Sequence, residues 1–253
     1  MRIRRRAVGE RPPDPGSEAQ MTFMEHLGEL RTRIIRCALF IGVGAAVVFY
    51  FYEPILDILA APYCDIRPAD ECVFLQTDPL EGFGVRITVA FYTGIGLAMP
   101  VILWNLWRFI TPALHPNEKR YAVPFVVSGA LLFLLGAGLA FWTIPRALEF
   151  LVDIAGANFE QQFTGSAYLA FLVKMMVGFG IGFEFPILLV FLQLVGILRP
   201  EQLGATRRYA IVGIVVLVAV ITPSGDPISL AVLSVPMYLF YEASILIGRL
   251  VKR

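Results

Sequence analysis

The chain has 253 residues, of which 57% are hydrophobic and only 16% are charged. A soluble globular domain carries about a quarter charged residues, so the composition excludes an ordinary soluble protein. The formal net charge of +1 at pH 7 gives no indication of a nucleic-acid partner. The apolar residues occur in blocks long enough to cross a bilayer as helices, which takes about 20 residues each.

The N-terminal segment, residues 1–20, is rich in Arg, Pro and Gly and has no apolar period. This composition predicts a disordered basic tail on the cytoplasmic side. Residues 21–253 are predicted to form a single transmembrane domain. At its start, the stretch EHLGELRTRI places Leu27, Leu30 and Ile34 at helical spacing, which predicts an amphipathic helix leading into the first span.

Six apolar runs predict six transmembrane helices, because a helix satisfies its own backbone hydrogen bonds in lipid. The predicted spans cover residues 34–52, 85–107, 121–144, 168–195, 209–221 and 228–247. The fifth run is short and reaches only about 20 Å, against a hydrocarbon core of roughly 30 Å. We therefore expect it either to thin the bilayer or to be covered by something else. Pro100, Pro186 and Pro236 lie inside spans and predict kinked helices.

The distribution of charge predicts the orientation. Most of the 21 Lys and Arg residues lie in the N-terminal flank, the second and fourth connections and the C-terminal end. The first and third connections are acidic instead. Because basic residues accumulate on the cytoplasmic side of membrane proteins, both termini are predicted to be cytoplasmic.

Two glutamates are candidate functional residues. Glu118 lies in the loop TPALHPNEKR, which is predicted to be cytoplasmic. It either pairs with Lys119, Arg120 or the basic N-terminal helix, or binds a cation from another protein. Glu184 lies near the middle of the fourth span, in GFGIGFEFPILL. A charged group there costs about 2.5–3.5 kcal/mol on insertion scales, so such residues tend to be functional. Glu184 is interpreted either as a protonated, hydrogen-bonded core carboxyl or as a polar group facing a wet cavity or ligand.

The outward connections hold three further candidates. Asp226 in TPSGDPIS is placed to cap the last helix, with Pro227 at its first position. Cys64 and Cys72 both lie in the first outward loop, where a disulfide is chemically plausible. Spacing alone does not decide whether the two thiols are bonded. Cys37, at the start of the first span, is interpreted as a small packing residue.

The sequence shows none of the familiar enzymatic motifs. No His, Cys or Glu spacing indicates a metal site, no phosphate-binding loop is present, and no nucleophile grouping stands out. The sequence therefore predicts a protein without enzymatic activity, metal or cofactor.

The stretches HLGELRTRI, WRFITPALHPNEKRY, FGIGFEFPILL, RRYAIV and ITPSGDPISLAVLSVPMYLFYE together resemble the TatC family, from about residue 22 to 250 and in the same order. The resemblance implies an all-α integral membrane protein whose six kinked helices form a concave, glove-shaped bundle. It also implies the core receptor subunit of the twin-arginine translocase, which exports folded proteins using the proton-motive force.

The resemblance further implies roles for individual residues. Glu29 and Glu118 would recognise the two arginines of a signal peptide, and Phe109 would belong to the same patch. Glu184 would face the concave side of the bundle, and Asp226 would take part in transport.

The implied location is the bacterial cytoplasmic (inner) membrane, and the implied partners are twin-arginine signal peptides, further copies of the chain, and the single-span proteins TatA and TatB. Their helices would dock along the fifth and sixth spans, near Ile211 and Val215. The chain departs from many family members by carrying Leu230 where a glutamine is common. The alternatives are a proton-coupled small-solute transporter using Glu184, and a purely structural membrane scaffold.

Overall fold

The computed structural model describes residues 23–65, 73–110, 122–156, 163–194, 196–222 and 226–251. Within these ranges the regular secondary structure is helical, apart from one isolated bridge between Leu75 and Thr164. The helices are α1 (Phe23–Tyr50), α2 (Tyr52–Cys64), α3 (Glu81–Ile110), α4 (Ala122–Ala155), α5 (Gly165–Leu194), α6 (Pro200–Ala205), α7 (Arg207–Ile221) and α8 (Pro227–Val251). The predicted tail at residues 1–20 lies outside the described residues.

Five of the described helices are long and apolar enough to cross a membrane, namely α1, α3, α4, α5 and α8. They coincide with five of the six predicted spans. The remaining predicted span is α7, whose 15 residues measure about 22 Å along the axis. The count of six spans and their orientation remain predictions. The structure shows that the helix at the fifth predicted span is short, as its apolar run indicated.

The amphipathic segment predicted at the start of the domain is continuous with the first span in the 28-residue helix α1. α1 lies antiparallel to α3, and an arginine from each helix binds carbonyls at the end of the other. Arg33 of α1 donates to Arg108 O at 3.0 Å, and Arg86 of α3 donates to Phe49 O at 2.8 Å. The last carbonyls of a helix lack intrahelical partners, so a cation at each C-terminus stabilises the pair.

The sequence did not predict α2, because this stretch falls in the acidic first connection, which was expected to be an outward loop. Its buried side chains include Tyr52, Leu59 and Tyr63, which recur at helical spacing. Tyr168 of α5 donates a hydrogen bond of 2.9 Å from its hydroxyl to the carbonyl of Leu59. Phe74 stacks on both Tyr63 and Tyr168, so an aromatic cluster holds α2 against the bundle.

The beginnings of α3 and α5 are joined by one carboxylate. Glu81 accepts hydrogen bonds from the backbone N–H and the hydroxyl of Thr77, at 2.8 and 3.1 Å. It also accepts from the N–H and hydroxyl of Ser166, at 3.1 and 2.6 Å. The backbone N–H of Ser166 lies in the first turn of α5 and has no acceptor within its own helix. Glu81, at the start of α3, supplies that acceptor.

α5 is the central helix, since it packs against α3, α4, α7 and α8. The three predicted in-span prolines lie inside α3, α5 and α8, which continue through them. On the C-terminal half of α5 the packing is incomplete. A largely apolar cavity of about 330 Å³ lies there between α4, α5 and α8, with Trp107 of α3 and Pro186 of α5 in its wall.

Candidate functional site

Glu29 lies on the first part of α1 and is already paired with a residue of its own helix. Its Oε1 atom accepts hydrogen bonds from Nε of Arg33, at 3.1 Å, and from Nη2 of the same guanidinium. A glutamate four residues before an arginine is a favourable arrangement on a helix. This spacing was visible in the sequence, but the pairing was not predicted.

Arg33 also links the Glu29–Arg33 pair to the end of α3. Its guanidinium donates to the carbonyl oxygens of Asn105, at 3.5 Å, and Arg108, at 3.0 Å. The Arg33 side chain is only 12% exposed and that of Glu29 is 22% exposed. Among the described residues, Glu29 Oε2 is buried and has no hydrogen-bond partner. The result is a carboxylate that is hydrogen-bonded through one oxygen and unpaired, though buried, at the other.

The predicted partners of Glu29 in recognition lie at the end of α3 or just beyond it. Phe109 directly follows Arg108, the residue whose carbonyl binds Arg33, and it is partly buried. The structure thus brings Phe109 to the same helix end as the Glu29–Arg33 pair. Glu118 lies outside the described residues.

An aromatic cluster on the other side of the α3 terminus was missed by sequence reasoning. Trp107, Phe125 and Phe191 have ring centroids 4.8 to 6.0 Å apart, and all three line the apolar cavity. The sequence shows these residues only as members of apolar runs. Their grouping depends on three helices meeting, which no local pattern indicates.

Glu184 lies on α5 against Gly129 of α4. A Cβ atom at position 129 would lie 3.0 Å from Glu184 Oε2 and 2.7 Å from a methyl group of Leu103. The glycine therefore makes room for the carboxyl group between the helices. Among the described residues, Glu184 Oε1 is buried and has no hydrogen-bond partner. A hydrogen-bonded core carboxyl, one of the two interpretations left open by the sequence, needs a partner that this part of the structure does not supply.

Asp226 caps α8. Its Oδ1 atom accepts a 2.7 Å hydrogen bond from the backbone N–H of Ser229, and Pro227 occupies the first helical position. Asp226 is 2% exposed. The arrangement agrees with the predicted cap and gives this residue a structural role at the turn between α7 and α8.

The predicted docking residues Ile211 and Val215 lie on an exposed face of α7, at 46% and 44% exposure. Only Ile214 and Val218 of α7 are buried in the described structure. α7 is tied to α8 near its start by an ion pair in which Arg207 donates two hydrogen bonds to Glu242, of 2.5 and 2.9 Å. α7 thus presents a long apolar surface outside the bundle, which is fixed in place at the first turn of the helix.

The described cysteines differ in state. Cys37 is a free thiol on α1, as its predicted packing role requires. Cys64, at the end of α2, is disulfide-bonded. Cys72, the partner suggested by the sequence, lies outside the described residues. Within the described ranges no group of His, Cys, Asp and Glu has the arrangement of a metal site.

Comparison with known proteins identifies the family. The sequence profile described as TatC, Sec-independent protein translocase protein, matches residues 25–236. The Sec-independent protein translocase protein TatC of Aquifex aeolicus is 38% identical over 239 residues, covering 92% of this chain and 97% of that protein. The protein of the same description from Frankia casuarinae is 35% identical over 241 residues, which are 91% of this chain and 66% of that protein.

The fold is similar as well. A crystal structure of a twin arginine translocase receptor, TatC, superposes with a TM-score of 0.74 at 39% identity, covering 90% of this chain and 100% of that one. The predicted resemblance is confirmed, as is the prediction of a translocase component rather than an enzyme. The apolar helices fit a multi-pass membrane protein. The chain belongs to the TatC family of Sec-independent protein translocase proteins.

Proposed function

We propose that this chain is the signal-peptide receptor of a twin-arginine translocation complex, acting at the cytoplasmic face of the bacterial inner membrane with both termini in the cytoplasm. The complex would export folded proteins using the proton-motive force. The observation that carries the proposal is the Glu29 carboxylate, which is held in place by Arg33 through one oxygen and has no hydrogen-bond donor for its other, buried oxygen.

The chemistry of this acceptor suits arginine. A guanidinium is always protonated and offers several N–H donors in a fixed plane, whereas a lysine ammonium is a compact, strongly hydrated charge. A hydrogen bond to a charged partner contributes about 1.5–3 kcal/mol. Glu29 and Glu118 together would supply on the order of 3–6 kcal/mol, enough to distinguish a peptide with two arginines from one without. Phe109 would add an apolar surface beside them.

The outer face of α7 supports a proposal about partners. Ile211 and Val215 are exposed and apolar, and α7 is shorter than the hydrocarbon core is thick. A single-span helix of the TatA or TatB type would cover this surface and relieve the mismatch. Self-association of the chain within the complex belongs to the same proposal.

Two polar residues would serve transport rather than recognition. Glu184 would be a polar position on the concave side, since its carboxyl group is held between α4 and α5 without a described partner. Asp226 would act through the shape of the outward turn that it caps. A small-solute transporter using Glu184 is the weaker hypothesis, because the family is one of protein translocases.

The test is a binding assay on the detergent-purified full chain. Peptides with Arg-Arg and with Lys-Lys are titrated at two salt concentrations against the parent protein, Glu29→Gln and Glu118→Gln. Glu53→Gln is the matched control, because Glu53 is an exposed carboxylate on α2, far along the chain from the site. We expect the parent to prefer Arg-Arg and each site variant to bind it at least about tenfold more weakly.

The control variant should bind like the parent. Equal binding of both peptides by folded parent protein would contradict the receptor function. If the parent and Glu29→Gln bind the Arg-Arg peptide equally, Glu29 is not part of the recognition site. The role of Glu118 is then decided by the Glu118→Gln variant.

A further inference from the structure

The guanidinium of Arg33 connects the candidate acceptor to the bundle. It donates to Glu29 Oε1 on its own helix and to the carbonyl oxygens of Asn105 and Arg108 at the end of α3. The two carbonyl oxygens belong to the backbone of α3, so they fix the position of the guanidinium. The orientation of the Glu29 carboxylate follows from its hydrogen bonds to that guanidinium.

In these contacts only one of the two carboxylate oxygens of Glu29 is hydrogen-bonded. Arg33 bonds only to Oε1, while Oε2 is buried and has no hydrogen-bond partner among the described residues. A buried carboxylate oxygen without a donor is costly in a folded protein. It is therefore a site at which a further donor gains more than it would at a solvated carboxylate.

We infer that Arg33 is a positioning residue for signal-peptide recognition. It holds Glu29 through Oε1, which keeps the unpaired Oε2 as the acceptor for the incoming arginine, and it stays in place when that arginine binds, so that the two guanidiniums share one carboxylate. The inference rests on the proposed function and names a residue that acts through Glu29 rather than touching the peptide.

Exchange of Arg33 for the incoming arginine is the competing possibility, and the contacts disfavour it. Leaving Glu29 would strand a guanidinium that is only 12% exposed beside two helix-terminal carbonyls. Breaking up a largely buried charged pair leaves an uncompensated charge, which is strongly unfavourable. Adding a donor to Oε2 requires no such loss.

The test is a double-mutant cycle with the full chain in detergent, using the Arg-Arg and Lys-Lys peptides as probes. The variants are Arg33→Ala, Glu29→Gln and the two combined. Because Arg33 acts through Glu29, we expect Arg33→Ala to weaken Arg-Arg binding about tenfold alone but less than about twofold in the Glu29→Gln background. Arg33→Lys, which keeps the charge without the planar fork, should bind with intermediate affinity.

Arg86→Ala is the matched structural control. Arg86 ties α3 to Phe49 O at the opposite end of the same helix pair, so its removal loosens the pair without touching Glu29. We expect it to lower thermal stability and to leave peptide affinity within about twofold of the parent. This control separates positioning of Glu29 from general attachment of α1.

The outcomes are distinct. Tighter Arg-Arg binding by Arg33→Ala would show that the peptide displaces Arg33, and would overturn the inference. The inference would also be overturned if Arg33→Ala weakened Arg-Arg binding equally with Glu29 and with Gln at position 29, or if Arg86→Ala weakened it as much as Arg33→Ala does. Either result would show that Arg33 only attaches α1 to α3. If Glu29→Gln alone binds like the parent, the assignment of Glu29 under the proposed function fails first, and the role of Arg33 fails with it.

Discussion

Gly136 lies where α4 touches the backbone of α5, and its replacement by alanine should separate the two helices. A Cβ atom at this position would lie 2.6 Å from Phe179 O, 2.9 Å from Phe179 C and 3.0 Å from Gly180 Cα. These are helix backbone atoms, which cannot rotate away as the end of a flexible side chain can. Overpacking of this kind costs about 1–3 kcal/mol.

Gly138→Ala provides the matched control on the same helix. A Cβ atom at Gly138 would meet nothing within 4 Å. Both substitutions gain about 0.5–1 kcal/mol from the better helix propensity of alanine, so the difference between them isolates the backbone contact. For a chain of this size, each kcal/mol shifts Tm by about 2–4 °C.

The measurement is thermal unfolding of both variants in one detergent. We expect Gly136→Ala to unfold several degrees below Gly138→Ala, and Gly138→Ala to unfold at or slightly above the parent. Identical Tm values for the two variants would refute the argument that α4 and α5 are in backbone contact at Gly136.

Three further predictions concern other contacts. Tyr168→Phe should lower stability by about 1 kcal/mol in thermal unfolding, because it removes the buried hydrogen bond from the Tyr168 hydroxyl to the carbonyl of Leu59; an unchanged Tm would contradict this. Asp226→Ala should cost about 0.5–2 kcal/mol through loss of the α8 cap, with Asp226→Asn close to the parent, and similar losses for both would argue against capping. Ile211→Asn should reduce co-purification of a TatA- or TatB-type partner without affecting Arg-Arg peptide binding. Val127→Asn, at an exposed apolar position on α4, should leave co-purification of the partner unchanged. Equal loss of the partner from both variants would exclude a specific docking surface on α7.

The state of Glu29 changes how recognition is to be understood. The family resemblance implied that Glu29 binds an arginine from a signal peptide. In the structure Glu29 already binds one arginine, Arg33, and offers its second oxygen. An incoming guanidinium that meets only Oε2 cannot form two parallel hydrogen bonds with Glu29 while Arg33 remains. The selectivity for arginine would then depend on several acceptors acting together, with Glu118 as the proposed second one.

Part of the site could be proposed from local signals in the sequence, since Glu184 stands alone in an apolar span and Asp226 precedes a proline at a helix start. The role of Glu29 was implied only by the family resemblance. The contacts that give these residues their setting are long-range. Gly129 beside Glu184 belongs to another helix, and no periodicity along α5 indicates it.

The sequence by itself determined that the chain is a helical membrane protein and where its long apolar helices lie. Lipid offers no hydrogen bonds to the backbone, so an apolar run long enough to cross a bilayer has essentially one stable form, and its length can be counted directly. The shortness of the fifth apolar run was visible for the same reason.

Only the tertiary structure decided how these helices meet. In the membrane the apolar faces of neighbouring helices and the lipid tails are chemically alike, so hydrophobicity does not specify which faces pair; close packing and polar contacts do. The backbone contact at Gly136, the Arg33 bridge to the end of α3 and the aromatic attachment of α2 are contacts of these kinds. Each of these contacts joins residues far apart in the chain. The contact between Arg33 and the end of α3 fixes the Arg33 guanidinium, which bonds to only one oxygen of Glu29 and leaves Oε2 unpaired.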